Sequence, residues 1–241
     1  MENPLEAMDY IFLLLIGIGM PGYAYIEHLR EQARKARGEK TDLMEAYAFT
    51  HVFLWVPTIL LLGWWTFDGR AFELIGLNLP TAGRGQIAMA GMVVASIALV
   101  WNVWKIRTDQ KSADKVAKTL EDQPLIMDIL PKTPAEYRRF KWVSLSAGIT
   151  EEILYRGFLI WVLSAWLPVW AAALVALTVF VLGHLYQGTA FALSRVAGAG
   201  AVFTVLYLTT GSLVPAMLMH IVIDLASGAA CWHAQRAGSR A

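Results

Sequence analysis

At 241 residues the chain is long enough for one or two soluble domains, but 57% hydrophobic against 16% charged content exceeds what a water-facing surface of that size tolerates, and it indicates a membrane protein. Twenty Lys plus Arg against 19 Asp plus Glu leave a formal charge of +1, so there is no polybasic surplus to hold nucleic acid, and that class of partner is excluded. One cysteine, Cys231, permits neither an internal disulfide nor a thiolate metal site, which leaves any chemistry to His, carboxylates and hydroxyls.

A helix rising ~1.5 Å per residue needs roughly 17–25 apolar residues to cross ~30 Å of hydrocarbon. Uncharged runs of that kind fall at Tyr10 to Ile26, Ala46 to Phe67 and Gln86 to Trp104. The run from Gly157 to Ser194 is too long for one crossing and divides at Pro168 and at Gln187-Gly188; the run from Val196 to Ile223 divides at Thr209-Thr210-Gly211-Ser212. The predicted fold is all-α, a polytopic membrane bundle of about seven transmembrane helices near 8–27, 45–66, 86–106, 139–165, 168–185, 190–209 and 212–232. It is read as one integral-membrane domain, 1–241, with three N-terminal spans (1–106), a cytoplasmic connector (107–138) that has room for a short surface helix, and a second set of helices (139–232).

The first run is expected to be a retained span, because Glu2, Glu6 and Asp9 precede it without Lys or Arg, opposite to a secretory leader. Basic residues alternate between the two sides. Arg30, Arg34, Lys35, Arg37 and Lys40 follow the first span; only Arg70 and Arg84 lie in the second loop; Lys105, Arg107, Lys111, Lys115, Lys118, Lys132, Arg138, Arg139 and Lys141 mark the third. Arg195 is placed after the fifth helix, and Arg236 and Arg240 in the tail. Because Lys and Arg resist translocation, this places the N-terminus outside and the C-terminus in the cytoplasm. Trp101, Trp104, Trp142 and Trp232 are expected as interfacial anchors in the lipid bilayer.

The first three spans are expected to be free of charge and the later ones are not. A charge at the centre of a span costs ~2.5–3.5 kcal/mol on insertion scales, so each needs a reason. Glu151, Glu152 and Arg156 enter the fourth helix roughly 16 Å from its cytoplasmic entrance. Glu152 and Arg156 share a face and can pair, whereas Glu151, turned ~100° away, is left without a local partner. Alone, the pair reads equally well as an internal salt bridge. The second buried carboxylate points instead to proton chemistry or a held cation. Phe180 and His184 share a face of the fifth helix, and His220 and Asp224 a face of the seventh. Alone, His184 reads more readily as an interfacial or hydrogen-bonded residue than as a catalyst, and the His220–Asp224 pair reads equally well as a hydrogen bond that holds helices together. Topology lets Glu151, Glu152, His184, His220 and Asp224 line one cavity open to the cytoplasm. His28, His51 and His233 lack an acidic neighbour at helical spacing and are read as structural or interfacial.

In order, Glu151-Glu152-x-x-x-Arg156, Phe180-x-x-x-His184 and His220-x-x-x-Asp224 resemble the CAAX protease and bacteriocin-processing family, also called Abi-type proteins, over roughly Phe140 to Trp232. The resemblance implies intramembrane hydrolysis of a peptide bond, making 139–232 the catalytic helices. It implies a membrane-associated polypeptide substrate, prenylated or a precursor. By motif position Glu151 would be the general base with His184 as partner, Glu152 and Arg156 would hold the helix in register, Phe180 would support the site, and His220 with Asp224 would stabilise the oxyanion. The eukaryotic pattern has asparagine where Asp224 stands. An ionised aspartate repels an oxyanion, so Asp224 is expected to orient and charge His220. No cofactor is expected; a zinc reading, with Glu151, His184 and His220 as ligands, is chemically open although His-Glu-x-x-His is absent. The compact architecture and the aspartate variant favour a prokaryotic inner membrane. Two other classes compete: a noncatalytic scaffold or immunity protein, and a proton-coupled transporter. The second lacks the matched halves of an inverted repeat.

Overall fold

The structure, a computed structural model, describes residues 5–39, 42–80 and 83–238. Glu2, Lys40 and Arg240 lie outside the described residues. Among the latter there are nine helices and no strand. We number them α1 (Ala7–Ala36), α2 (Leu43–Phe67), α3 (Arg84–Thr108), α4 (Gln110–Glu121), α5 (Pro124–Ile129), α6 (134–163), α7 (Val169–Leu182), α8 (Ala190–Thr210) and α9 (Leu213–Gly238). Five of them, α1, α2, α3, α8 and α9, are long and apolar enough to cross a membrane, while α7 is apolar but shorter. The chain is a polytopic helical bundle.

Local chemistry sets the helix ends. The Asp42 carboxylate accepts from Met44 N (2.8 Å) and Glu45 N (3.2 Å) to start α2, and Thr189 Oγ1 accepts from Ala192 N (3.1 Å) to start α8. Thr133 and Glu136 form a reciprocal capping box, so α6 begins at Pro134, inside what the sequence suggested as connector. The connector itself folds into two helices, α4 and α5, where one short surface helix was expected. Pro168 caps α7, and Gly211, at φ 64°, ends α8 in the left-handed conformation that glycine adopts without strain.

Two charge placements differ from expectation. α1 continues past 27 to Ala36, so Arg30, Arg34 and Lys35 are helical; Glu27 and Glu31 hold them through contacts of 3.0 to 3.9 Å along one face. Arg195 follows α7 near the start of α8, within the helix expected at 190–209. More consequentially, Asp9 is a buried residue of α1, contrary to a charge-free first span. It receives both terminal nitrogens of Arg70, at 2.6 and 3.0 Å, from the turn after α2. Arg70 also pairs with Asp68, and its guanidinium sits 5.2 Å from the ring centroids of both Trp65 and Trp161. The burial is possible because every donor direction of the fork meets a carboxylate or an aromatic face.

The core is centred on α6, whose residues from Glu152 to Ile160 are all buried. Phe12 and Ile16 of α1, Leu61 and Trp65 of α2, and Ala172 and Ala176 of α7 pack against it in one cluster. Burial on every side over this stretch puts it in the middle of the bundle. On its remaining side lies α9, which also packs against α3, α4 and α8. Close approach of α9 depends on Gly148 of α6: a Cβ there would stand 3.0 Å from Ile221 N. At the other end of α9, Trp232 is 7% exposed and stacks on Tyr137 with centroids 4.8 Å apart. It is therefore a packing residue joining α9 to the start of α6 and no interfacial anchor. Trp101, Trp104 and Trp142 are exposed, as anchors require.

Candidate active site

The site begins where α6 changes character. From Glu152 to Leu159 the helix is π-helical. Hydrogen bonding from i to i+5 puts an extra residue in each turn and narrows the angle between successive side chains. Glu151 and Glu152, expected to diverge, both reach His220 of α9. π-segments of this kind are concentrated at functional sites.

Glu152 is fully buried, and its Oε1 accepts from Arg156 Nη1 (3.1 Å) and His220 Nδ1 (2.7 Å). Arg156 spends its other terminal nitrogen on Gly200 O at 3.1 Å, with its guanidinium 4.1 Å from the Phe180 ring centroid and 5.4 Å from that of Phe203. Paired, hydrogen-bonded and sandwiched between aromatic faces, the guanidinium is tolerable in a dry interior. The imidazole of His220 lies nearly flat on Phe203, with centroids 4.5 Å apart and planes 14° apart. Its second nitrogen, Nε2, faces Glu151 Oε2 at 3.9 Å and Asp224 Oδ2 at 3.8 Å. Both distances are too long for a hydrogen bond. Glu151 Oε2 has no hydrogen-bond partner among the described residues, and neither has the second oxygen of Glu152. The Asp224 side chain is 34% exposed, against 13% for Glu151.

His184 enters from the end of α7. Its Nδ1 is 2.8 Å from Phe180 O. A carbonyl only accepts, so Nδ1 carries the proton and Nε2 is left with a free lone pair. The Phe180 ring lies between the histidines, 4.5 Å from His184 and 6.3 Å from His220. Glu151, Glu152, Arg156, Phe180, His220 and Asp224 thus form one connected cluster. His184 joins it through Phe180 and through electrostatic reach to His220 and Asp224, and among the described residues it makes no hydrogen bond or ion pair to Glu151. Among the described residues, no group of three or more His, Cys, Asp or Glu side chains is arranged to hold a metal ion.

Two members of this cluster were not visible from the sequence. Phe203 and Gly200 sit on α8, whose sequence bears no charge in the stretch that meets the site. A backbone carbonyl and an aromatic face leave no pattern by which their partners can be read. His51, expected to be structural, is hydrogen-bonded through Nδ1 to Ser146 Oγ at 2.9 Å, which also accepts from Trp55 Nε1 at 3.0 Å. It ties α2 to α6.

An all-helical membrane bundle with carboxylates and imidazoles gathered in its interior defines an intramembrane class of protein. Residues 137–226 match the family model described as Type II CAAX prenyl endopeptidase Rce1-like. That segment runs from α6 into α9 and takes in every residue of the cluster named from the sequence. Neither the curated proteins nor the solved structures give a match.

Proposed function

We propose that the protein is an intramembrane endopeptidase that hydrolyses a peptide bond of a membrane-associated polypeptide, lipidated or a precursor, with Glu151 as the general base. One observation carries this reading. Of two adjacent carboxylates in the interior, Glu152 is held by Arg156 and His220, whereas Glu151 makes no hydrogen bond among the described residues and faces the second nitrogen of His220 at 3.9 Å. A buried carboxylate that no structural contact uses is available for proton transfer.

In the proposed reaction Glu151 removes a proton from water while the free Nε2 of His184 orients it, and the hydroxide adds to the substrate carbonyl. The tetrahedral oxygen takes a hydrogen bond from His220 Nε2 when that nitrogen carries a proton. Asp224 orients the ring, and Glu152 with Arg156 hold it from the other side. Glu151 then returns its proton to the amine as the C–N bond breaks. The reaction as written uses no cofactor, and zinc held by Glu151, His184 and His220 is the alternative. The helices 139–232 are the catalytic unit. We place the bundle in a prokaryotic inner membrane with the N-terminus outside and the C-terminus cytoplasmic, a reading supported by the alternation of Lys and Arg between loops, with lipid and polypeptide as its proposed partners.

The test is cleavage of a membrane-associated peptide by purified protein in lipid vesicles. Wild type cleaves, and Glu151→Gln, folded, does not. A metal chelator leaves the rate unchanged; loss of activity restored by zinc would favour the metal route. Proton flux without cleavage would favour a transporter. A phenotype that survives Glu151→Ala and His184→Ala would favour a scaffold.

A further inference from the structure

Peptide hydrolysis through a tetrahedral oxyanion calls for preorganised donors, and the site is short of them. Three carboxylates, Glu151, Glu152 and Asp224, surround His220. Most of the donors are already engaged: Arg156 by Glu152 and Gly200 O, His184 Nδ1 by Phe180 O, and His220 Nδ1 by Glu152. Of the histidine and arginine donors named above, His220 Nε2 is left, and it faces two carboxylates.

Tyr155 supplies what is missing. It stands one turn beyond Glu151 on the same face of α6, and its ring is buried, edge-on to Phe180 at 5.4 Å and 81°. The phenol is within electrostatic reach of Glu151, yet its hydroxyl makes no hydrogen bond among the described residues. The ring is buried, but the hydroxyl is not one of the sealed polar atoms left without a partner, so it stays in contact with open space. The hydroxyl points at Gly183, the residue before His184: a Cβ there would lie 3.5 Å from it, and glycine leaves that space open. Tyr155 is thereby placed between the proposed base on its own helix and the histidine across the site.

We propose that the Tyr155 hydroxyl is a second donor to the reacting oxygen, and hence a catalytic residue, which deepens the hydrolytic reading and rests on it. The experiment compares wild type, Tyr155→Phe and Glu151→Gln in the vesicle cleavage assay, with thermal unfolding of each in detergent. Tyr155→Phe keeps the ring against Phe180, so its expected result is a drop in kcat of about 100-fold with KM and melting temperature unchanged. A kcat within threefold of wild type, or a loss that follows a lowered melting temperature, would overturn the inference while a dead Glu151→Gln leaves the hydrolytic reading standing. Cleavage by Glu151→Gln at the wild-type rate would defeat that reading and this one together. As a second probe, 3-fluorotyrosine at position 155 keeps the packing and makes the phenol a stronger acid; kcat changes if the hydroxyl acts on the reacting oxygen, and an unchanged kcat speaks against it.

Discussion

His220 Nδ1 lies 2.7 Å from Glu152 Oε1, a polar contact that ties α9 to the π-helical stretch of α6. The same oxygen accepts from Arg156 at 3.1 Å. With one nitrogen committed to Glu152, the imidazole has one orientation, and its other nitrogen is aimed at Glu151 and Asp224. The widened turns of α6 make this possible, because they bring both members of the glutamate doublet to one ring.

The pair can be separated from the reaction by mutation. Arg156→Met leaves Glu152 charged and short of a partner in a dry interior, which is expected to cost about 3–5 kcal/mol. The double variant Glu152→Gln/Arg156→Met removes both charges and should recover most of that stability, yet it remains deficient in cleavage because His220 then rests on a neutral amide oxygen in place of a carboxylate. Unfolding in mixed micelles measures the first effect and peptide cleavage the second. A double variant as active as wild type would contradict the orienting role.

Gly200 matters for what it leaves free. A Cβ there would lie 2.7 Å from Leu177 Cδ1 and 2.9 Å from Arg156 Nη2, while at Gly198 it would meet nothing within 4 Å. Gly200→Ala is therefore expected to destabilise by about 1–3 kcal/mol and to lower cleavage by displacing Arg156. Gly198→Ala, on the same helix, is expected to leave both near wild type. Equal effects at the two positions would show that helix propensity, and not the guanidinium's space, decides the outcome.

Much of this was legible because a charge in an apolar run stands out. Glu151, Glu152, Arg156, His220 and Asp224 are conspicuous against their neighbours, and their four-residue spacings place them on helix faces. Pro168 and Gly211 mark helix ends for equally local reasons. What escaped was non-local or backbone-borne. The π-helical turns that swing Glu151 towards His220 depend on packing around α6, and nothing in the residue types announces them. Phe203 under the imidazole and the Gly200 carbonyl on Arg156 carry no charge to attract notice. Trp232 lies where an interfacial anchor belongs, but Tyr137 faces it and the two rings stack. Asp9 was hidden by its position at the edge of an apolar run, with its partner Arg70 far away in the chain.

Asp224 stands 3.8 Å from His220 Nε2 and is the most exposed carboxylate of the cluster. Asp224→Ala should therefore unfold at the wild-type temperature while cleaving about 10–100 times more slowly, because the ring loses an outer partner that orients it. Steady-state cleavage beside a melting curve checks this. A variant that melts lower in proportion to its lost rate would make Asp224 a packing residue.

Asp9 and Arg70 give the opposite expectation. Their side chains are 0% and 1% exposed and meet through two bonds, at 2.6 and 3.0 Å, well along α6 from the glutamate doublet. Asp9→Leu strips the buried guanidinium of its bidentate partner and leaves it Asp68 and the faces of Trp65 and Trp161. A loss of about 3–5 kcal/mol follows, because the cost lies in the uncompensated charge. Replacing both, as Asp9→Leu/Arg70→Met, should restore most of it, since buried pairs exchange for apolar residues of similar volume with little net change. Cleavage per folded molecule should stay within about twofold of wild type in each variant, as distant sites act independently. Single and double variants with the same stability would mean that the pair's burial carries no penalty when broken, and the tie between α1 and the turn after α2 would have to be assigned to the surrounding aromatic packing.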